Sequence, residues 1–372
     1  MVMASEALAD DNFTEPPARS RRRDPQPLCP EVLWTTRCRH FRRDGACKFS
    51  HAVPPLVREH YDRLRNERLE CIRVADVERK RAMRDLKRNP PAPVPVPAAI
   101  ECLREEAVLR YDTASHPLDV LIAGVLECVS GEEPLHEIHQ RALPDAPPLC
   151  PTLMHAYRLN GRKLPGEWTA LMGPGRSRKL LTKLWASAVY EAWLGGYDAW
   201  VRDVVLPVAG SGGPIYYQRP PTLRVAMPSH AATIGVHRDA DYPEHHPAEI
   251  NFWCPLVRVG GTSALWLESA PGAGDYAPRA LEVGDVLRFN GYLCRHHTVP
   301  NRSGTTRVSF DLRCLPACAL RPGEAPPTKI GDYAVGYVAP KGWPDEAELH
   351  GEDLHDLSAV ACDTCDTGAR GG

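Results

Sequence analysis

A chain of 372 residues, 43% of them hydrophobic, is long enough for one domain with a sizeable core plus one or two smaller units. The net charge of −2 conceals an asymmetry, because residues 19–88 hold twenty Lys and Arg against ten Asp and Glu, a balance that suits an anionic partner. No stretch approaches the ~18 uninterrupted apolar residues of a membrane helix and the first residues lack a secretory apolar run, so the expectation is an intracellular protein, cytoplasmic or nuclear, with no membrane association. The thirteen cysteines are scattered, most of them in apolar segments, and read as reduced core thiols with a few metal ligands and no structural disulfides.

In chain order, residues 1–28 are polar and aperiodic and read as a disordered N-terminus. Residues 29–53 place Cys29, Cys38, Cys47 and His51 in the pattern C-x8-C-x8-C-x3-H, with His40 as a competing ligand. Three thiolates and an imidazole would close a tetrahedral zinc site and organise a segment too short to bury a core. The ending Cys47-Lys48-Phe49-Ser50-His51 and the run CRHF from Cys38 resemble the CCCH zinc fingers, although the middle spacing here is longer. Arg37, Arg39, Arg42, Arg43 and Lys48 beside Trp34, Phe41 and Phe49 supply cations for phosphates and rings for base stacking, so the partner is single-stranded RNA or, alternatively, a protein.

Residues 54–89 are strongly charged, with Val57, Tyr61, Leu64 and Cys71 at helical spacing, and predict one long helix with a narrow apolar stripe. The proline run at 90–98 is a stiff linker and the clearest domain boundary. Residues 99–340 form the second region. Helical periods at 117–141 and 176–206, the latter with Trp185, Tyr190, Trp193, Tyr197 and Trp200, predict helices that buttress a sheet. Beyond Pro220 come short β-type runs, TLRVAMP, INFWCPLV, SALWLES, DVLRFN and RVSFDLRCL, separated by turn residues, which predict an antiparallel sandwich or barrel. Residues 341–372 are a tail, and its Cys362 and Cys365 are only half of a metal site.

His237 and Asp239 are two apart, so an extended strand sends both side chains to one face, and a third ligand can come from His296 or His297. Two imidazoles and one carboxylate on one face of an octahedral iron(II) leave three positions open. Arg307 follows His296 by eleven residues and shares a strand face with Ser309, a guanidinium and a hydroxyl suited to a buried carboxylate. Alternation puts Asp311 and Arg313 on that same face, opposite Val308, Phe310 and Leu312, and groups Glu249, Asn251 and Trp253 on a second strand. Asn251 and Trp253 are candidates for lining the site. Arg224 either enters it or pairs on the surface, and His245 and His246 are either groups that support the site or meet substrate near the H-x-D turn or, as the simpler reading, part of a solvated loop.

The order H-x-D, then H, then R-x-S resembles the 2-oxoglutarate/iron(II) dioxygenases. The segments YYQRPPTLRVAMP, AEINFWCPL, SALWLESAPGAGDY and LCRHHTVPNRSGTTRVSFDLR are similar to the phytanoyl-CoA hydroxylase-like superfamily, in the branch of the streptomycin-biosynthesis oxygenase, over about residues 185–316. The resemblance implies an α+β fold with a double-stranded β-helix (jelly-roll) core and buttressing helices, preceded here by a small zinc finger and a long charged helix. It also implies iron(II) on His237, Asp239 and His296, with the ligand histidine set by Pro300-Asn301. Arg307, Ser309 and Asn251 would hold 2-oxoglutarate, and Arg224, Trp253 and His297 would face substrate. Dioxygen and an unidentified organic substrate are then the reactants and hydroxylation the default outcome. The rival from another class is an RNA-binding regulator with a non-catalytic oxygenase fold.

Overall fold

The structure is a computed structural model that describes residues 28, 51–88, 96, 98–128, 133–172, 177–321, 323–331 and 333–343. Cys29, Cys38 and Cys47, most of the proline run at 90–98, and the tail from 344 onward lie outside the described residues; of the four expected zinc ligands only His51 is described. The chain divides into two compact units, Met1–Arg81 and Ala82–Gly372.

Helix α1 (Pro55–Arg88) begins with a proline at its first turn and carries neighbouring charge pairs, Arg65 with Asp62 and Arg73 with Glu70, three residues apart and hence on one face. Its apolar stripe is half-buried at Val57, Tyr61 and Leu64 but exposed at Cys71, and Leu56, Leu69, Val74 and Val77 also face outward. Among the described residues, no helix is long and apolar enough to cross a membrane.

The second unit is helices packed on antiparallel sheets. Its helices are α2 (Ala98–Leu103), α3 (Leu118–Val125), α4 (Pro151–Leu159), α5 (Gly166–Leu171), α6 (Ser177–Trp185), α7 (Ala188–Trp200) and α8 (Leu206–Ala209). The helical period read at 117–141 is realised as α3 and a 3-10 helix at Leu135–Gln140, and the one at 176–206 breaks at Ser187, whose hydroxyl accepts from the Tyr190 amide and caps α7. The large sheet joins β1 (Ala107–Arg110), β2 (Ile215–Gln218), β3 (Thr222–Ala226), β4 (Ile250–Pro255), β7 (Asp285–Phe289), β9 (Arg307–Pro316), β10 (Lys329–Ile330) and β11 (Tyr333–Val338) in the order β1-β7-β4-β9-β2-β11-β10, with β3 also on β9. The small sheet is β6 (Ala277–Arg279), β5 (Leu265–Leu267) and β8 (His296–His297), with β5 in the middle.

Strand β9 shows why the helices sit where they do. Its apolar face turns Phe310 into α7, where the ring meets Trp193, Tyr197 and Trp200 at centroid distances of 5.5, 5.8 and 5.3 Å, edge to face. Such aromatic pairs add about 0.5–1.5 kcal/mol each beyond area burial. Trp185, at the end of α6, is outside this cluster and half exposed. The other face of β9 is polar and buried, which demands partners for every charge it carries.

Candidate metal centre

Two sheet elements that are distant in sequence bring the histidines together. His237 and His296 form an isolated antiparallel bridge, exchanging backbone bonds of 3.2 and 2.8 Å, and their rings lie 4.4 Å apart. The chain stays extended through Arg238 and then turns, so Asp239 opens a single 3-10 turn rather than continuing the strand that its spacing suggested. The Asp239 amide donates to the Gly291 carbonyl at 2.9 Å, which fixes where that turn begins. His237, Asp239 and His296 each offer a ligand atom within 4.8 Å of the others.

The ring nitrogens are already sorted. Nδ1 of His237 lies 2.9 Å from the Gly235 carbonyl and Nδ1 of His296 lies 3.1 Å from that of Cys294. A carbonyl only accepts, so each Nδ1 carries a proton and each Nε2 is the ring nitrogen left to meet a cation. Burial pushes the His296 imidazole down to about 4, which keeps it neutral at physiological pH.

Asp239 is fully buried, which alone would raise its pKa, but the Arg313 guanidinium holds the carboxyl far below the usual range. Arg313 Nε and Nη2 donate to Oδ2 and Oδ1 at 2.7 and 3.0 Å, and Asn251 Nδ2 donates to Oδ2 at 2.6 Å. Because the carboxylate can only accept, the Asn251 amide has one permitted orientation. A Cβ at Gly291 would meet that amide at 2.5 Å, so only glycine leaves it room.

A narrow chamber between the sheets joins His237 and His296 to Arg307, Arg313, Asn251, Trp253, Phe289 and Arg224. On its own it holds about 30 Å³, but Arg224 and Arg307 also border an open cleft of about 410 Å³ beside α4. A larger groove of about 1150 Å³ runs past α3 and touches none of the three clustered residues. Arg224 bonds Asp311 at 2.8 Å and lines the chamber as well, so it both enters the site and pairs.

Arg307 differs from its neighbours. It is 2% exposed, its contacts are the Ser263 carbonyl at 3.3 Å and the Thr233 hydroxyl at 3.5 Å, and its Nε is unpartnered. No carboxylate pairs with it among the described residues, and burial together with the nearby Arg224 lowers its pKa to about 10. The Ser309 hydroxyl is also buried without a partner.

His297 does not line the chamber or join the ligand cluster; its ring packs edge-on to Tyr276 at 4.8 Å. His245 was read as a solvated residue, yet its side chain is 10% exposed and its Nδ1 sits 2.7 Å from the buried Glu249. With Asp239 these two make a second group of potential ligands. The signal for it is Glu249, an acid just before β4 that is buried and so needs a partner. His246 pairs with Glu324 at 3.3 Å.

No family model matches the chain. The streptomycin biosynthesis protein StrG of Streptomyces griseus is 35% identical over 125 residues, 32% of this chain, and the chain spans 59% of the length of that relative. Similar solved structures include the non-haem monooxygenase ThoJ in its apo form (13% identity, 50% of this chain and 80% of that one, TM-score 0.33). Its nickel complex (12%, 52% and 81%, TM-score 0.30) and EvdMO1 (19%, 59% and 49%, TM-score 0.27) are similar in the same way. None of these likenesses assigns an activity to this chain.

Proposed function

We propose that this chain is an iron(II)- and 2-oxoglutarate-dependent oxygenase that hydroxylates an organic substrate. The two sheets are read as the halves of a double-stranded β-helix, with α3 and α7 as buttresses. His237, Asp239 and His296 would hold the iron, a donor set of neutral imidazoles and one carboxylate that leaves positions open for small ligands. The observation that carries the co-substrate is Arg307: a buried, uncompensated guanidinium with an orphaned Nε, beside an orphaned Ser309 hydroxyl and sharing the chamber with the ligand cluster. A carboxylate end would satisfy both. When bound, iron with 2-oxoglutarate and dioxygen supplies the oxidising power for hydrogen abstraction.

The protein's own part is to hold three ligand atoms in place, neutralise the far carboxylate and exclude water with Trp253, Phe289 and Leu265. Arg224, at the junction of chamber and cleft, is the side chain best placed to meet substrate. The segment 29–53 serves in this reading as a zinc-holding accessory module that binds RNA or a protein.

The test is calorimetric binding of 2-oxoglutarate to the metal-loaded protein, alongside succinate release with iron(II) and dioxygen. Arg307→Ala is expected to weaken 2-oxoglutarate on the order of a hundredfold or more, since an unpaired buried charge costs several kcal/mol. Undiminished binding by the variant, or no 2-oxoglutarate binding by the wild type, rejects the reading.

A further inference from the structure

We infer that Arg313 and Asn251 are a positioning pair that confines Asp239 to metal coordination through a single oxygen, Oδ1. The inference rests on the metal-site reading above and concerns how that site keeps its positions open.

An ionised carboxylate offers about four lone-pair sites, two on each oxygen. Oδ2 accepts from Arg313 Nε at 2.7 Å and from Asn251 Nδ2 at 2.6 Å, which occupies both of its sites. Oδ1 accepts only from Arg313 Nη2, at 3.0 Å, and keeps one site. Asp239 is 1% exposed, so solvent does not compete for these contacts. A metal that took both oxygens would have to break two short bonds from buried donors.

The fold presents the two donors together. Asn251 and Arg313 are directly opposite in the β4–β9 ladder, so their side chains leave the sheet side by side. Arg313 is steadied on its far side by Gln218 Oε1 at 3.3 Å, and Gln218 is itself tied to the Thr222 hydroxyl at 2.8 Å. Asn251 is packed against Gly291, whose carbonyl also receives the Asp239 amide. Acid and donors are therefore registered to one another through backbone and cannot drift independently.

The chemical consequence is a count. With two imidazoles and one carboxylate oxygen a six-coordinate ion keeps about three positions for small ligands, whereas a two-oxygen carboxylate would leave about two. A two-atom chelating co-substrate plus dioxygen needs the larger number. Arg313 thus acts through Asp239.

Water-proton relaxation of manganese(II) bound to the full-length protein reads this count directly. The wild type is expected to show about three exchangeable waters on the ion. Arg313→Gln and Asn251→Ala should each lower the count, and Arg313→Lys, which keeps the charge but not the fork, should fail to restore it. Asn251→Ala removes no charge and serves should the arginine variants not fold. An unchanged count in Asn251→Ala together with any folded Arg313 variant overturns the inference, as does full rescue by Arg313→Lys. If manganese(II) binds the wild type no better than it binds His237→Ala, the metal-site reading itself fails and takes the inference with it.

Discussion

Arg307 and Arg313 are six residues apart on the same face of β9, equally hidden from solvent, and in opposite electrostatic situations. Arg313 is held by Asp239 in a two-point pair and its pKa is pushed up despite burial, while Arg307 hydrogen-bonds, among the described residues, a carbonyl and a hydroxyl but no carboxylate, and burial with the nearby Arg224 brings its pKa down to about 10. A folded chain tolerates an uncompensated buried guanidinium only at a cost, so the two ends of the chamber are built for different purposes. One end is complete within the protein. The other, in the proposed function, would be finished by an anion from outside.

The sharpest way to break this contrast is to remove each arginine in turn and measure ligand-free stability by urea denaturation. Arg313→Ala should lose on the order of 3–5 kcal/mol, because Asp239 is left charged and buried.

The next effect comes from acid. His296 titrates at about 4 in the folded chain against 6.5 as the reference, so the unfolded state binds the extra proton first as pH falls through that interval. Metal-free protein should therefore lose on the order of 3 kcal/mol between those values. His245, whose pKa is raised by Glu249 despite burial, works in the opposite sense, its contribution being complete below the reference value and lost as pH rises through the folded one. An NMR titration of the His296 ring separates the two, and a ring that titrates at its reference value would contradict the burial argument.

A smaller effect sits behind His296. The buried Glu268 accepts the amides of Gly272, Gly274 and Arg295 at 3.1, 3.1 and 2.6 Å, and although burial raises its pKa these bonds lower it on balance. Its contribution is present above the reference value of 4.5 and disappears as pH drops below it. Glu268→Gln should cost about 1–3 kcal/mol and speed amide exchange at Gly272 and Gly274. The smallest change is expected for Arg307→Met, about zero or slightly stabilising in ligand-free protein, because no charged group is orphaned and the two bonds lost, to the Ser263 carbonyl and the Thr233 hydroxyl, are long. A loss comparable to that of Arg313→Ala would erase the contrast between the two ends.

Much of this was legible in the sequence for reasons of period. Alternation along β9 sorted Phe310 from Arg307, Ser309, Asp311 and Arg313, and helical spacing found the α7 aromatics that receive Phe310. Spacing also paired His237 with Asp239 and left His296 or His297 as the third member, a choice that the family resemblance made. What one strand cannot reveal is which distant group neutralises which charge. Arg313 and Asp239 are 74 residues apart, and Arg104, whose Nη2 reaches Asn290 Oδ1 at 2.6 Å, is 186 residues from its partner. That second contact steadies the turn that carries Gly291, yet the sequence around Arg104 shows only an arginine between Leu103 and two glutamates. The partner of His245 was hidden for the same reason, since its loop looks polar until Glu249 is seen to be buried beside it.

The backbone bridge between His237 and His296 has a bearing on assembly. Two proposed ligands joined by reciprocal amide-to-carbonyl bonds would not wait for an ion to find each other. Removing metal with a chelator should therefore be reversible without unfolding, and the amides of both histidines should stay protected from exchange in the stripped protein. In the proposed function the ion would arrive late, as a guest in a finished frame. A cysteine-and-histidine segment too short for a core of its own, as at 29–53, would behave the other way, since its shape and its zinc would have to come together.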